Sequence, residues 1–124
     1  MQRLNSDQAP KALGPYSQGM VTGNTVFLSG QLGIDPATNQ LKDGVEEQAK
    51  QSLANIQNVL STIDLSLRNV VKVTVFLKDL DHFAAVNEIY ANHFEEPYPA
   101  RSCVQVAKLP ADALVEIEVI AEKA

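Results

Sequence analysis

The sequence predicts an α+β fold in which helices pack on one face of a mixed sheet. Three observations carry this reading. Apolar residues recur at three- and four-residue steps from Val45 to Ile63, over a length only a helix sustains. A second, shorter stripe with the same spacing runs from Phe83 to Phe94. Between and around these lie β-rich runs too short for helices of comparable quality, at 20–28, 69–77, 101–107 and 114–121. The order is strands, helix, strand, helix, two strands, which is an α+β pattern. A sheet covered by helices on one face must hide its other face, and oligomerisation is one solution.

Along the chain, residues 7–18 (DQAPKALGPYSQ) are dense in turn formers and read as an extended loop. Met20–Val21 and Val26–Leu28 flank Gly23-Asn24, a hairpin signal because both turn residues tolerate positive φ. Residues 34–41, with Pro36 and Asn39, read as a loop. The first helix starts near Asp43, with Glu46 in capping-box spacing. Val45, Ala49, Leu53, Ile56, Leu60 and Ile63 form its apolar face; Gln48, Lys50, Gln51, Asn55 and Asn58 take the wet side. Asn69–Leu77 is a strand with Val71, Val73, Val75 and Leu77 on one face. Asp79 or Asp81 caps the second helix, which buries Phe83, Val86, Tyr90 and Phe94 and stops at Pro97 and Pro99. Arg101–Ala107 and Leu114–Ala121 are the last strands, joined through Leu109-Pro110-Ala111-Asp112.

The bulk composition narrows the function classes. A chain of 124 residues, 45% hydrophobic and 20% charged, has the make-up of one soluble globular domain over 1–124. A net charge of −5 and the absence of any Lys/Arg cluster argue against nucleic acid or an anionic membrane as partner. The single cysteine, Cys103, excludes an intrachain disulfide and a multi-cysteine zinc site. His82 and His93 lack ligand spacing, so no metal site is expected. Met1–Pro10 has no apolar run of the signal-peptide kind, and nothing approaches the roughly 20 apolar residues of a membrane span. A cytoplasmic location follows as the default.

The chemistry concentrates near the C-terminus. On a strand, Arg101, Cys103 and Gln105 share one face, and Glu116 and Glu118 share a face of the next strand. If these strands form a hairpin with Cys103 opposite Glu116, then Arg101, Cys103 and Glu116 converge on one surface. That register also aligns Val104 and Val106 with Val115 and Ile117, whereas a one-residue slip sends the carboxylate to the other side. An Arg fork binds a carboxylate bidentately, and a glutamate with a raised pKa orients a water. The plainer account is a cross-strand ion pair with Cys103 as a space filler, and the residues alone favour it. Tyr16 and Ser29 have similar alternatives: a phenol and a hydroxyl facing a ligand, or a packed aromatic and a turn residue.

The sequence resembles the Rid (YjgF-type) family along nearly its whole length. The resemblance rests on Gly14-Pro15-Tyr16-Ser17-Gln18-Gly19, Leu28-Ser29-Gly30-Gln31, Val73–Leu80, Val86-Asn87, Pro99–Val104, Ala107–Pro110 and Glu116-Ile117-Glu118. It implies a chorismate-mutase-like fold, a homotrimer with a central β-barrel and helices outside, and clefts between neighbouring subunits. It implies hydrolytic deamination of reactive 2-imino and enamino acids, such as 2-aminoacrylate/2-iminopropanoate and 2-iminobutanoate, to 2-keto acids and ammonia without a cofactor. By the same resemblance Arg101 binds the substrate carboxylate and Glu116 orients the hydrolytic water. Tyr16, Ser29, Asn87 and Cys103 fall at cleft positions, and Arg101 places the chain with the active deaminase branch. Gln105 stands where relatives often carry Glu. The alternatives are a 2-keto-acid-binding sensor or a scaffold/chaperone trimer without turnover. A ribonuclease or translation inhibitor is disfavoured by the acidic charge.

Overall fold

The computed structural model describes residues Met1–Ala124. Its strands are β1 (Gln2–Leu4), β2 (Gly19–Thr22), β3 (Thr25–Leu28), β4 (Gln31–Leu32), β5 (Ile34–Asp35), β6 (Gln40–Leu41), β7 (Val70–Leu77), β8 (Ala100–Gln105) and β9 (Val115–Glu122). Its helices are α1 (Val45–Ser61) and α2 (Phe83–His93). The main sheet runs β1-β2-β3-β9-β7-β8, with β4 also on β9. Only the β7–β8 pair is parallel, because α2 carries the chain back between them. The sheet is therefore mixed, as expected from the element order.

Alternation along the central strands divides the sheet cleanly. Val73, Val75 and Leu77 of β7 and Val115, Ile117 and Val119 of β9 are buried, and they meet Leu53, Ile56 and Leu60 of α1 in the core. Val86, Ile89, Tyr90 and Phe94 bring α2 onto the same face. The other face carries Phe27, Phe76, Val104, Ile120, Glu116 and Glu118, and no helix covers it; Phe27 remains 46% and Val104 44% exposed.

Several local expectations shift for physical reasons. Gly23 alone turns the β2–β3 hairpin at positive φ, 59°. Residues 34–41 form the small β5–β6 ribbon, closed through Asn39 at φ 61°. Asp43 does not cap α1; Gly44, at φ 84°, comes between it and the helix, and no side chain caps that end. A bulge between Val70 and Lys72 turns Val71 outward, to 48% exposure, and buries Val70 instead. Asp79 does cap, accepting from the Asp81 amide in a 3₁₀ turn that leads into α2. Phe83, at the start of α2, stays 39% exposed.

The supposed wet side of α1 is partly buried. Gln48, Ser52 and Asn55 stand on one flank, and the β4–β5 segment lies over them. Ser52 Oγ donates to Gln31 O (2.7 Å), and Asn55 Nδ2 donates to Leu32 O (3.2 Å) and Ile34 O (2.9 Å). Gln48 donates to Lys42 O (3.0 Å) and accepts from the Leu114 amide (2.9 Å). Ser52 and Asn55 satisfy carbonyls of β4 and β5, strands two residues long, and Gln48 joins the ends of two loops. Lys50 stays in water, as expected. Asn55→Ala strips the donor from two carbonyls and is expected to cost about 2–3 kcal/mol. Urea unfolding of the variant at the wild-type midpoint would contradict this role.

Strands β8 and β9 are not a hairpin. Strand β7 lies between them, pairing Val75 with both Cys103 and Ile117, and Phe76 with both Val104 and Glu116. The connection from β8 crosses the end of β7, held by Val106 N to Leu77 O (2.9 Å) and Lys78 N to Leu114 O (3.0 Å). Proximity in sequence suggests direct pairing, but α2 delivers β8 parallel to β7 at the sheet edge.

Candidate active site

Arg101 lies on edge strand β8, in register with Val73 and through it with Val119, so it points to the helix side of the sheet. There α2 presents Phe83, Asn87 and Tyr90, spaced four and three residues apart and hence on one stripe. Arg101 Nη1 donates to Asn87 Oδ1 at 2.6 Å. The guanidinium carbon lies 4.7 Å from the Tyr90 ring centre and 5.5 Å from that of Phe83, within cation–π range. Asn87, Tyr90, Ala91, Tyr98, Pro99 and Arg101 line a shallow pocket. Arg101 takes part in none of the ion pairs of the chain, which join Lys42–Asp35, Lys50–Glu47, Arg68–Glu95 and Lys78–Asp112. It is a positioned guanidinium without a carboxylate partner.

Cys103 is on the same face, half-buried against the core. Burial pushes its thiol pKa up, and the nearby Arg101 charge only partly offsets this. At neutral pH it is a thiol, a poor nucleophile.

Glu116 sits on the opposite face, in register with Phe76 and, on its other side, Leu32. Its surroundings arise from a break between β3 and β4, which run in succession along β9. Phe27 pairs with Ile120 and Gln31 with Ile117, so four residues advance on one strand against three on the other. The extra residue falls at the Ser29-Gly30 break, bulge fashion. Gly30 packs directly on the Glu116 carboxylate, where a Cβ would collide with Oε2. Ser29 Oγ donates to Ser17 O (2.6 Å) and so ties the Tyr16 loop to the break. Tyr16, Ser29, Gly30, Leu32, Pro110 and Glu116 line one concavity, with Tyr16 55% exposed. Burial, reinforced by repulsion from Glu118, raises the Glu116 pKa. Gly30→Ala is expected to displace the carboxylate and cut activity by about tenfold or more, while unfolding shifts by about 1 kcal/mol. Wild-type turnover by Gly30→Ala would show that the carboxylate position does not matter.

The structure thus sorts the six candidates into two groups. Arg101, Asn87 and Cys103 meet on the helix side, and Glu116, Tyr16 and Ser29 meet on the bare side. The expected convergence of Arg101, Cys103 and Glu116 on one surface does not occur within one chain, because the partner of both strands is β7. The stripe Phe83/Asn87/Tyr90 under Arg101 is a feature that residue-level reading missed; its four-and-three spacing was the available signal. Gly30 was missed likewise, since nothing local marks it as the neighbour of Glu116. No three His, Cys, Asp or Glu side chains cluster as a metal site requires, and no helix is long and apolar enough to cross a membrane.

Residues 6–123 match the family model described as Endoribonuclease L-PSP. The chain belongs to this family, which comprises the YjgF, RutC and Rid proteins. It is 48% identical over 119 residues to the 2-iminobutanoate/2-iminopropanoate deaminase of the goat Capra hircus, covering 95% of this chain and 87% of the goat protein. Its fold superposes on RidA of the Antarctic bacterium Psychrobacter sp. with a TM-score of 0.96 at 48% identity, over 98% and 99% of the two chains. Escherichia coli TdcF with bound serine gives 0.95 at 42% identity, over 100% of both.

Proposed function

We propose that this protein hydrolyses 2-imino acids to 2-keto acids and ammonia, in a homotrimer whose clefts join the Arg101 side of one copy to the Glu116 side of the next. The observation that carries the reading is the state of Arg101: fixed by Asn87 and two aromatic rings, and without an acid partner. Such a fork suits the carboxylate of an imino acid. The deaminase relatives support the substrate class, which includes 2-iminopropanoate and 2-iminobutanoate. The uncovered sheet face, with Phe27 and Val104 exposed, supports assembly.

The mechanism follows from the two groups. Arg101 binds the carboxylate and sets the imine carbon in place. Glu116 takes a proton from water as the oxygen adds to that carbon. Glu116 returns that proton to the imine nitrogen, giving a neutral carbinolamine, and transfer of the carbinolamine hydroxyl proton to its amino nitrogen then breaks the C–N bond, releasing ammonia and leaving the keto acid. Water and the imine are the only reactants, so the step balances without a metal or organic cofactor. Tyr16 and Ser29 line the water side, and Cys103 lies beside Arg101 as a protonated thiol. Positioning supplies most of the effect, because free imines already hydrolyse in water. A cytoplasmic site of action fits this chemistry.

The test is a coupled assay in which an amino-acid oxidase generates 2-iminobutanoate with semicarbazide as a competing trap. Loss of semicarbazone on adding the protein, together with a trimer mass in sedimentation, is the expected result. Keto-acid binding without turnover would favour a sensor or scaffold instead. RNA cleavage surviving Arg101→Ala and repeated purification would favour a nuclease.

A further inference from the structure

We propose that Asn87 is a positioning residue, which holds Arg101 ready for an anionic ligand by a contact that leaves the guanidinium charge unneutralised. This rests on the reading of Arg101 as the carboxylate anchor. The resemblance alone puts Asn87 among the groups that line the cleft; the geometry gives it a different task.

Every contact that orients Arg101 is uncharged. Asn87 Oδ1 accepts from Nη1 at 2.6 Å, and the Tyr90 and Phe83 rings lie at 4.7 and 5.5 Å. Within the chain the Asn87 contact is the one hydrogen bond that the Arg101 side chain makes, which leaves the other guanidinium N–H groups for a ligand. An exposed Arg on an edge strand otherwise samples many rotamers, and ordering it on binding costs affinity. The amide removes that cost in advance. Aspartate at position 87 has the same length and would make a stronger, charge-assisted bond to Nη1. It would also fill the fork with the protein's own carboxylate. A neutral acceptor is the solution that orients without competing.

The test compares wild type, Asn87→Ala and Asn87→Asp in the full-length protein. Calorimetry gives Kd for 2-ketobutanoate, the coupled assay gives kcat and KM for 2-iminobutanoate, and ¹⁵N NMR follows the Arg101 side chain. For Asn87→Ala, Kd and KM are expected to rise about tenfold, the worth of one charge-assisted hydrogen bond, with kcat within about threefold of wild type. The Arg101 side-chain resonances should move towards those of a free arginine. For Asn87→Asp, Kd and KM are expected to rise further, by about a hundredfold, because the new carboxylate competes. A merely structural asparagine would leave the Kd and KM of a folded Asn87→Ala protein and its Arg101 side-chain resonances as in wild type. Asn87→Asp binding 2-ketobutanoate as well as wild type would overturn the proposal. So would a fall in kcat at unchanged KM, which would put Asn87 on the reacting atoms. Wild-type binding of 2-ketobutanoate without imine turnover would sink the deaminase reading alone, and the Kd order would then decide this one. Absence of keto-acid binding in wild type would overturn both.

Discussion

Arg101→Ala is expected to lower kcat/KM for 2-iminobutanoate by roughly 10²–10⁴-fold. A bidentate carboxylate contact comprises two hydrogen bonds to a charged group, each worth about 1.5–3 kcal/mol. The fold should not suffer. Arg101 is exposed at the sheet edge, joins no ion pair, and contributes only its contacts with Asn87, Tyr90 and Phe83. Arg101→Lys separates charge from shape, since lysine keeps the charge but loses the planar fork. A loss of about tenfold or more for lysine would show that geometry holds the substrate. The check is turnover measured beside circular dichroism and sedimentation. A folded, normally assembled Arg101→Ala protein with full activity would end the carboxylate-anchor reading.

Glu116→Gln is expected to cost about 10²–10⁴-fold in turnover, the usual contribution of a general base. It keeps the shape that Gly30 packs against and removes only the basic oxygen. The pH dependence follows from the direction of the shift. Burial first, and Glu118 second, raise the folded pKa above the ordinary glutamate value. The base works only when ionised, so the acid limb of kcat/KM should lie above the ordinary glutamate range. The stability effect has a definite sign. In the window between the unfolded and the raised folded pKa, the native state binds more protons than the unfolded state. Stability from this group is then fully present below the unfolded pKa and is lost as pH rises through the folded one. Glutamine carries no such penalty, so Glu116→Gln should melt no lower than wild type at pH 7 while losing activity. A variant that melts lower at pH 7, or an acid limb at the ordinary glutamate value, would show that the carboxylate is not desolvated.

Much of the site is legible in local pattern and in resemblance, but not its arrangement. The stripe from Ala49 to Leu60 and the alternation of Val73, Val75 and Leu77 predict their own burial, because periodicity is a property of one element. The polar row Gln48, Ser52, Asn55 misleads for the opposite reason. Its burial depends on β4 and β5, strands of two residues each that no run of residues announces. Val71 misleads because one bulged residue reverses the alternation.

By itself the sequence determined the two helices and the five longer strands, the one-sided helical layer, and the residue types able to grip a carboxylate and activate water. Only the tertiary structure decided which side of the sheet each occupies. A strand's alternation sets which of its residues share a face, but its pairing partner sets which face that is. With β7 between β8 and β9, Arg101 follows Val73 toward the helices and Glu116 follows Phe76 away from them. The two side chains therefore lie on opposite faces within the chain, which is why the proposed activity calls on a second copy.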